Sequence, residues 1–192
     1  MPRGAIVLED EVGTQGHHRV DSAMVGMLIF LGSETMLFAG FIAAFLVFRL
    51  AAPVWPPPLQ PRLPVEVTAV NTAVLLLSGY TMWRALRAAR DGDQGGLARS
   101  LTLTGLLGTT FLGVQGYEWA RLVTFGLTAP SGIYGGTFYT LIGAHAVHVL
   151  AALAWLGIIL IVRNPSGVLV FGMYWYFVVA LWPILYTLVY LA

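Results

Sequence analysis

The sequence predicts an all-α polytopic membrane protein: five transmembrane helices in an antiparallel bundle, with the N-terminus inside and the C-terminus outside. Three observations lead there. Of 192 residues, 58% are hydrophobic and only 10% charged, where a soluble domain carries roughly 25% charged residues. Five apolar runs, near 22–48, 66–86, 100–125, 137–162 and 168–191, reach the roughly 20 residues a helix needs to cross a hydrocarbon core about 30 Å thick. All ten basic residues are arginine, and they divide unevenly between the two sides. Arg3, Arg19, Arg84, Arg87, Arg90, Arg99 and Arg163 fall on one side; Arg49, Arg62 and Arg121 fall on the other. An excess of basic residues marks the cytoplasmic face.

Residues 1–21 read as a polar N-terminal tail and 22–192 as one five-helix membrane domain. The tail mixes acids and bases (Arg3, Glu9, Asp10, Glu11, Arg19), unlike a cleavable signal peptide, which has a basic start and an apolar centre. A net charge of +1 gives no sign of nucleic-acid binding. The absence of cysteine excludes disulfides, thiolate metal sites and cysteine catalysis.

The first helix carries a single ionisable side chain between Ser22 and Phe48, Glu34, about halfway along. A charged carboxylate at mid-membrane costs about 2.5–3.5 kcal/mol on insertion scales. Glu34 is therefore expected to face protein, either as a proton-exchanging site or as a protonated acid bonded to a neighbouring helix. Gly32, Ser33, Ala39, Gly40, Ala43 and Ala44 offer small-residue spacings suited to a packed face. Helix one ends at Arg49, and the proline-rich stretch from Pro53 to Pro64 reads as an extended outer connector. Trp55 within it suits the headgroup zone.

Glu66 opens the second helix, where the helix dipole favours an acid. The segment Asp91 to Gly96 is a turn by composition. Helix three carries Gln115, Glu118 and Arg121; the last two are three apart and can pair on one face. Helix four carries His145 and His148, again three apart. With no cysteine and no acid beside them, metal ligation is disfavoured and interhelical hydrogen bonding preferred. Asn164 to Gly167 is a tight turn that makes helices four and five antiparallel neighbours. Helix five is uncharged and dense in Tyr and Trp around Pro183, a pattern of packing and interfacial anchoring. The chain has no phosphate loop, Ser/His/Asp set or metalloprotease signature.

Seven sequence marks, in order, carry a resemblance. They are Ser33, Glu34, Phe38, Ala39 and Gly40; Trp55, Pro56 and Pro57; Asn71, Thr72 and Leu75 to Gly79; the Arg90–Asp93 turn; Gln115, Glu118 and Trp119; Tyr134 to Tyr139 with His145, His148 and Val149; and Tyr174, Trp175, Phe177, Val178, Trp182, Leu185 and Tyr186. From about residue 22 to 190 the chain resembles subunit III of haem–copper respiratory oxidases, in the short five-helix bacterial form. Where that family usually has His and Asp in its last motif, this chain has Tyr176 and Val179.

The resemblance implies a non-catalytic subunit of an aerobic cytochrome c oxidase in the bacterial inner membrane. Such a subunit packs on subunit I, with subunit II in the same complex, and binds structural phospholipid. It supports proton uptake and protects the catalytic subunit from inactivation. It implies no haem or copper on this chain, these residing in partner subunits. By the same resemblance Glu34 matches the family's buried acid, and Arg163 matches a lipid-phosphate contact; Trp55, placed in the headgroup zone by its indole, is the other lipid-binding candidate. Other readings are a quinol oxidase or nitric-oxide-reductase component and a stand-alone proton-coupled transporter built on Glu34. A membrane cytochrome using His145 and His148 is disfavoured by the ligand count.

Overall fold

The computed structural model describes residues 6–58, 61, 63–162 and 167–191, with residues 6–21 as backbone alone. Five helices follow in order: α1 (Ile6–Ala51), α2 (Val65–Arg90), α3 (Gln94–Thr124), α4 (Ile133–Val162) and α5 (Val168–Tyr186). A π-helical turn, Thr187–Leu191, continues α5. Each helix contains a stretch long and apolar enough to cross a membrane, and no strand occurs among the described residues.

Local chemistry explains where the boundaries depart from the sequence expectation. α1 begins at Ile6, so the backbone of the polar segment runs as helix into the membrane span. α3 begins six residues before Ser100, because Asp93 caps it by accepting the Gly96 N–H at 2.9 Å. A side-chain acceptor of this kind satisfies one of the orphan donors at a helix start. Gly92, at φ 73°, makes the turn itself, a conformation that glycine adopts without a Cβ clash. Before α4, Thr128 and Ser131 form a reciprocal capping box. The chain then turns at Gly132, φ 131°, and enters the helix at Ile133, four residues early. Gly135 sits so close under the Thr128 carbonyl that a Cβ there would collide with it.

Side-chain bonds fix how the helices stand against one another. α2 meets α3 through Asn71 Nδ2 to the Phe111 carbonyl (3.0 Å) and Thr81 Oγ1 to Thr104 Oγ1 (2.7 Å). It meets α5 through Trp175 Nε1 to Ser78 Oγ (3.2 Å), Trp182 Nε1 to Thr72 Oγ1 (2.8 Å) and Tyr186 to the Val65 carbonyl (3.2 Å). In both pairs rising numbers on one helix meet falling numbers on the other, so α2 is antiparallel to α3 and to α5. α3 and α5 run parallel: Gly108 faces Trp175 and Gln115 bonds Tyr190.

The core lies where α2, α3, α4 and α5 converge. Trp175, Trp182, Phe111, Phe138 and Phe171 are fully buried there. Over half of the apolar stretch of α5 is buried (56%), against 11% for α1. α1 is therefore peripheral, and it packs on α4 and α5. Its inward stripe is Leu31, Glu34, Phe38, Phe41, Ile42 and Phe45, at helical spacing. The small residues expected to make its packed face (Gly32, Ser33, Ala39, Gly40, Ala43, Ala44) are exposed instead. Phenylalanine rings, not small side chains, fill the space between α1 and its neighbours.

Gly108 marks the closest approach of three helices. A Cβ there would lie 2.6 Å from Trp175 Cη2 and 3.0 Å from Leu153 Cδ2. Gly113, five residues on, has nothing within 4 Å. Gly108→Val is expected to destabilise the bundle by about 1–3 kcal/mol, the cost of overpacking a filled core. Gly113→Val should stay within about 0.5 kcal/mol of the parent, as surface changes usually do. Thermal unfolding of both variants in the same detergent checks the pair; equal effects would contradict the close approach.

Candidate functional site

Glu34 and His148 meet across the α1–α4 interface. The imidazole Nε2 lies 2.9 Å from Glu34 Oε2, with the two side chains 15% and 16% exposed. The other ring nitrogen, Nδ1, lies 2.7 Å from the Ala144 carbonyl one turn back on α4. A carbonyl only accepts, so Nδ1 carries a hydrogen. Two states of the contact follow. Either Glu34 is protonated and donates to an unprotonated Nε2, or the imidazole carries both protons and faces a carboxylate. One proton is shared in both, and the pair has no net charge in either. That is how a carboxyl group can sit at mid-membrane without the full penalty of an isolated ion.

Aromatic rings enclose the pair. Phe38, 1% exposed, meets the His148 ring edge-on at 5.1 Å and Phe177 at 6.3 Å. Tyr174 points its hydroxyl toward the His148 carbonyl at 3.4 Å and packs on Phe30. The arrangement can hold or relay one proton between α1 and α4. Among the described residues no group of three or more His, Asp or Glu side chains gathers about a point that could hold a metal.

His145 does not join this pair, although it lies only three residues away. It is fully buried on the α3 and α5 side, 4.9 Å from the Trp182 ring and 6.2 Å from Phe111. Neither of its nitrogens has a hydrogen-bond partner. Positions three apart on a helix differ by about 60° around the axis, enough for two histidines to face different neighbours.

On α3, Gln115 Nε2 donates to the Tyr190 hydroxyl at 2.9 Å. Glu118 and Arg121 pair at 3.3 Å, the carboxylate buried and the guanidinium half-exposed, 6.0 Å from the Tyr117 ring. In the connector after α1, Trp55 packs edge-on between Phe45 (5.8 Å) and Tyr134 (5.0 Å). Arg163 lies outside the described residues.

Sequence reasoning missed two features. One is Arg49, whose Nη1 donates to the Leu188 carbonyl at 3.2 Å and ties the end of α1 to the end of α5. The other is the buried polar face of α2, where Thr68, Asn71, Thr72, Ser78 and Thr81 all turn inward. Their spacing of 3, 1, 6 and 3 was a visible signal, since polar side chains in a membrane helix recur on the face that packs against protein.

A family model described as "Cytochrome c oxidase subunit III" matches residues 6–192. The cytochrome c oxidase subunit 3 of Synechocystis sp. is 34% identical over 92% of this chain and 78% of its own length. That of Thermostichus vulcanus is 32% identical over 91% of this chain and 90% of its own length. That of Bacillus subtilis is 33% identical over 87% and 84%.

Glu34→Ala should lower stability by about 1–3 kcal/mol, because it strands a mostly buried imidazole nitrogen. Measured with His148→Phe in a double-mutant cycle, the two positions should couple by about 0.5–3 kcal/mol. Unfolding in lipid nanodiscs gives the cycle, and a coupling near zero would mean that the contact does not hold α1 in place.

Proposed function

The chain belongs to the cytochrome c oxidase subunit III family, and from that premise we propose that it is a non-catalytic subunit of an aerobic terminal oxidase. It stabilises catalytic subunit I, stands beside subunit II, and leaves oxygen reduction to haem and copper in those partners. It resides in the bacterial inner membrane with its N-terminus inside. Structural phospholipid is held through Trp55 and Arg163, and Glu34 supports proton uptake. Cytochrome c is the electron donor.

The observation that carries this reading is the extent of the match: it covers residues 6–192, the whole bundle rather than one helix. Two features of the fold support it. α1 buries little of itself within the chain and presents Gly32, Gly40 and Ala43 outward, a surface that a partner helix can approach closely. The Glu34–His148 pair shares one movable proton at the edge of the bundle, open enough to exchange with a neighbour.

A second reading, a quinol oxidase component, draws on Tyr176 and Val179, which replace two polar residues of the family pattern. Val179 packs closely on α2, 3.3 Å from where a Cβ would stand on Gly79. That gives the middle of α5 an apolar seam where the family carries an acid.

Gentle solubilisation and pull-down on this chain should bring larger subunits and a haem spectrum with it, while the chain purified alone should show no haem. Haem retained by the isolated chain would overturn the proposal. So would a chain that purifies alone and conducts protons in liposomes with loss on Glu34→Gln. Within the intact complex, Glu34→Gln should leave haem content unchanged and shorten the active lifetime during turnover, measured as oxygen consumption over time.

A further inference from the structure

We infer that the C-terminal end of α2 binds the phosphate headgroup of an anionic phospholipid, in the groove that α2 forms with Tyr176 of α5. The groove has a volume of about 740 Å3 and is lined by Trp83, Leu86, Arg87, Arg90, Asp91 and Tyr176. A second recess of about 270 Å3 meets it at Arg87 and adds Arg84 and Tyr80. The inference rests on the membrane-subunit reading above and adds a lipid contact built from residues that reading does not use.

Charge is the first support. Arg84, Arg87 and Arg90 face one acid on this helix end, Asp91. The Arg87–Asp91 contact is 4.0 Å long with both side chains about two-thirds exposed (69% and 66%), so solvent screens it and the guanidinium stays available. Arg84 and Arg90 form no ion pair with a described residue. Asp93, the other acid nearby, is engaged in capping α3 through the Gly96 N–H. A guanidinium matches a phosphate oxygen pair in a planar, two-bond geometry.

Preorganisation is the second support. The Tyr80 and Trp83 rings stack at 5.8 Å with 21° between their planes, and Arg87 lies 5.6 Å from the Trp83 ring centroid. These three stand along one face of α2. A guanidinium already resting on a ring gives up less freedom when it binds.

Amphipathicity is the third support, and it selects a lipid over a free anion. Leu86 and the Trp83 ring form an apolar wall beside the arginines. Exposed Leu76, Leu77 and Tyr80 continue along α2 into the span. A soluble phosphate gains nothing from that wall, whereas a phospholipid places its headgroup on the guanidiniums and an acyl chain along the helix. Trp and Tyr at such a level are suited to the headgroup zone. Tyr176, where the family pattern has histidine, brings a phenol to the same groove.

Native mass spectrometry of the delipidated oxidase complex, with haem content read in parallel, tests the site. The complex is titrated with phosphatidylglycerol, phosphatidylcholine or inorganic phosphate. The parent should retain a phosphatidylglycerol adduct under activation that strips phosphatidylcholine. Arg87→Gln with Arg90→Gln should lower that occupancy about tenfold, as expected for losing charge-assisted bonds, with haem per subunit unchanged. Arg99→Gln, a basic residue of α3 that lines neither the groove nor the recess, should have no effect. If the glutamine pair fails to assemble, Arg87→Lys with Arg90→Lys carries the test: charge is kept, the planar fork is lost, and occupancy should still fall. Equal retention of phosphatidylcholine would overturn the assignment, as would phosphate competing at concentrations equal to the lipid. Binding unaltered in the substituted complexes would overturn it too. Loss of haem in the parent complex would count instead against the oxidase reading.

Discussion

Trp175 and Trp182 stand seven residues apart on α5, two helical turns, and each delivers its indole N–H to a hydroxyl of α2, Ser78 and Thr72 respectively. Both indoles are fully buried. In a bilayer no hydrophobic force pulls helix to helix, because acyl chains are as apolar as leucine. Register must come from close packing and from polar groups that find no other partner. Two donors on one face of α5 and two acceptors on one face of α2 accept few relative positions. Each such bond is worth only about 0.6 kcal/mol on average, yet a shift of one residue would strand both indoles.

The rest of the bundle follows from that clamp. With α5 fixed on α2, the Cη2–Cζ2 edge of Trp175 fits where Gly108 leaves room on α3, and Trp182 packs on Phe111 at 4.9 Å and His145 at 4.9 Å. α3 is held independently to α2 through Asn71 and the Thr81–Thr104 pair. α4 then fits between α3 and α5, one histidine toward the core and the other toward α1. α1 lies outermost. It is attached by the Glu34–His148 contact, the Phe38 and Phe45 rings, and Arg49 at its far end.

This arrangement bears on the proposed role. The helix with the most lipid-accessible surface also carries the intramembrane acid, and a single shared proton joins it to the tightly packed remainder. A neutral pair of that kind tolerates a low dielectric, and it can change which partner holds the proton without changing net charge. In the proposed role, a scaffold subunit of a proton-consuming oxidase has use for such a contact at its boundary.

The number of helices and the membrane environment were legible in the sequence, because length and hydropathy act residue by residue. So was the Glu118–Arg121 pairing, since residues three apart on a helix are neighbours whatever surrounds them. The cap at Asp93 was written there too, hidden behind a glycine-rich composition that suggested a longer turn. The partner of Glu34, 114 residues away, was not legible, nor was the divergence of His145 from His148, nor the exposure of the small residues of α1. Each of these depends on how a helix is rotated about its axis and slid against its neighbours. That rotation is set by side chains on other helices, above all the two indoles and their hydroxyl acceptors, and no local period in one segment encodes it.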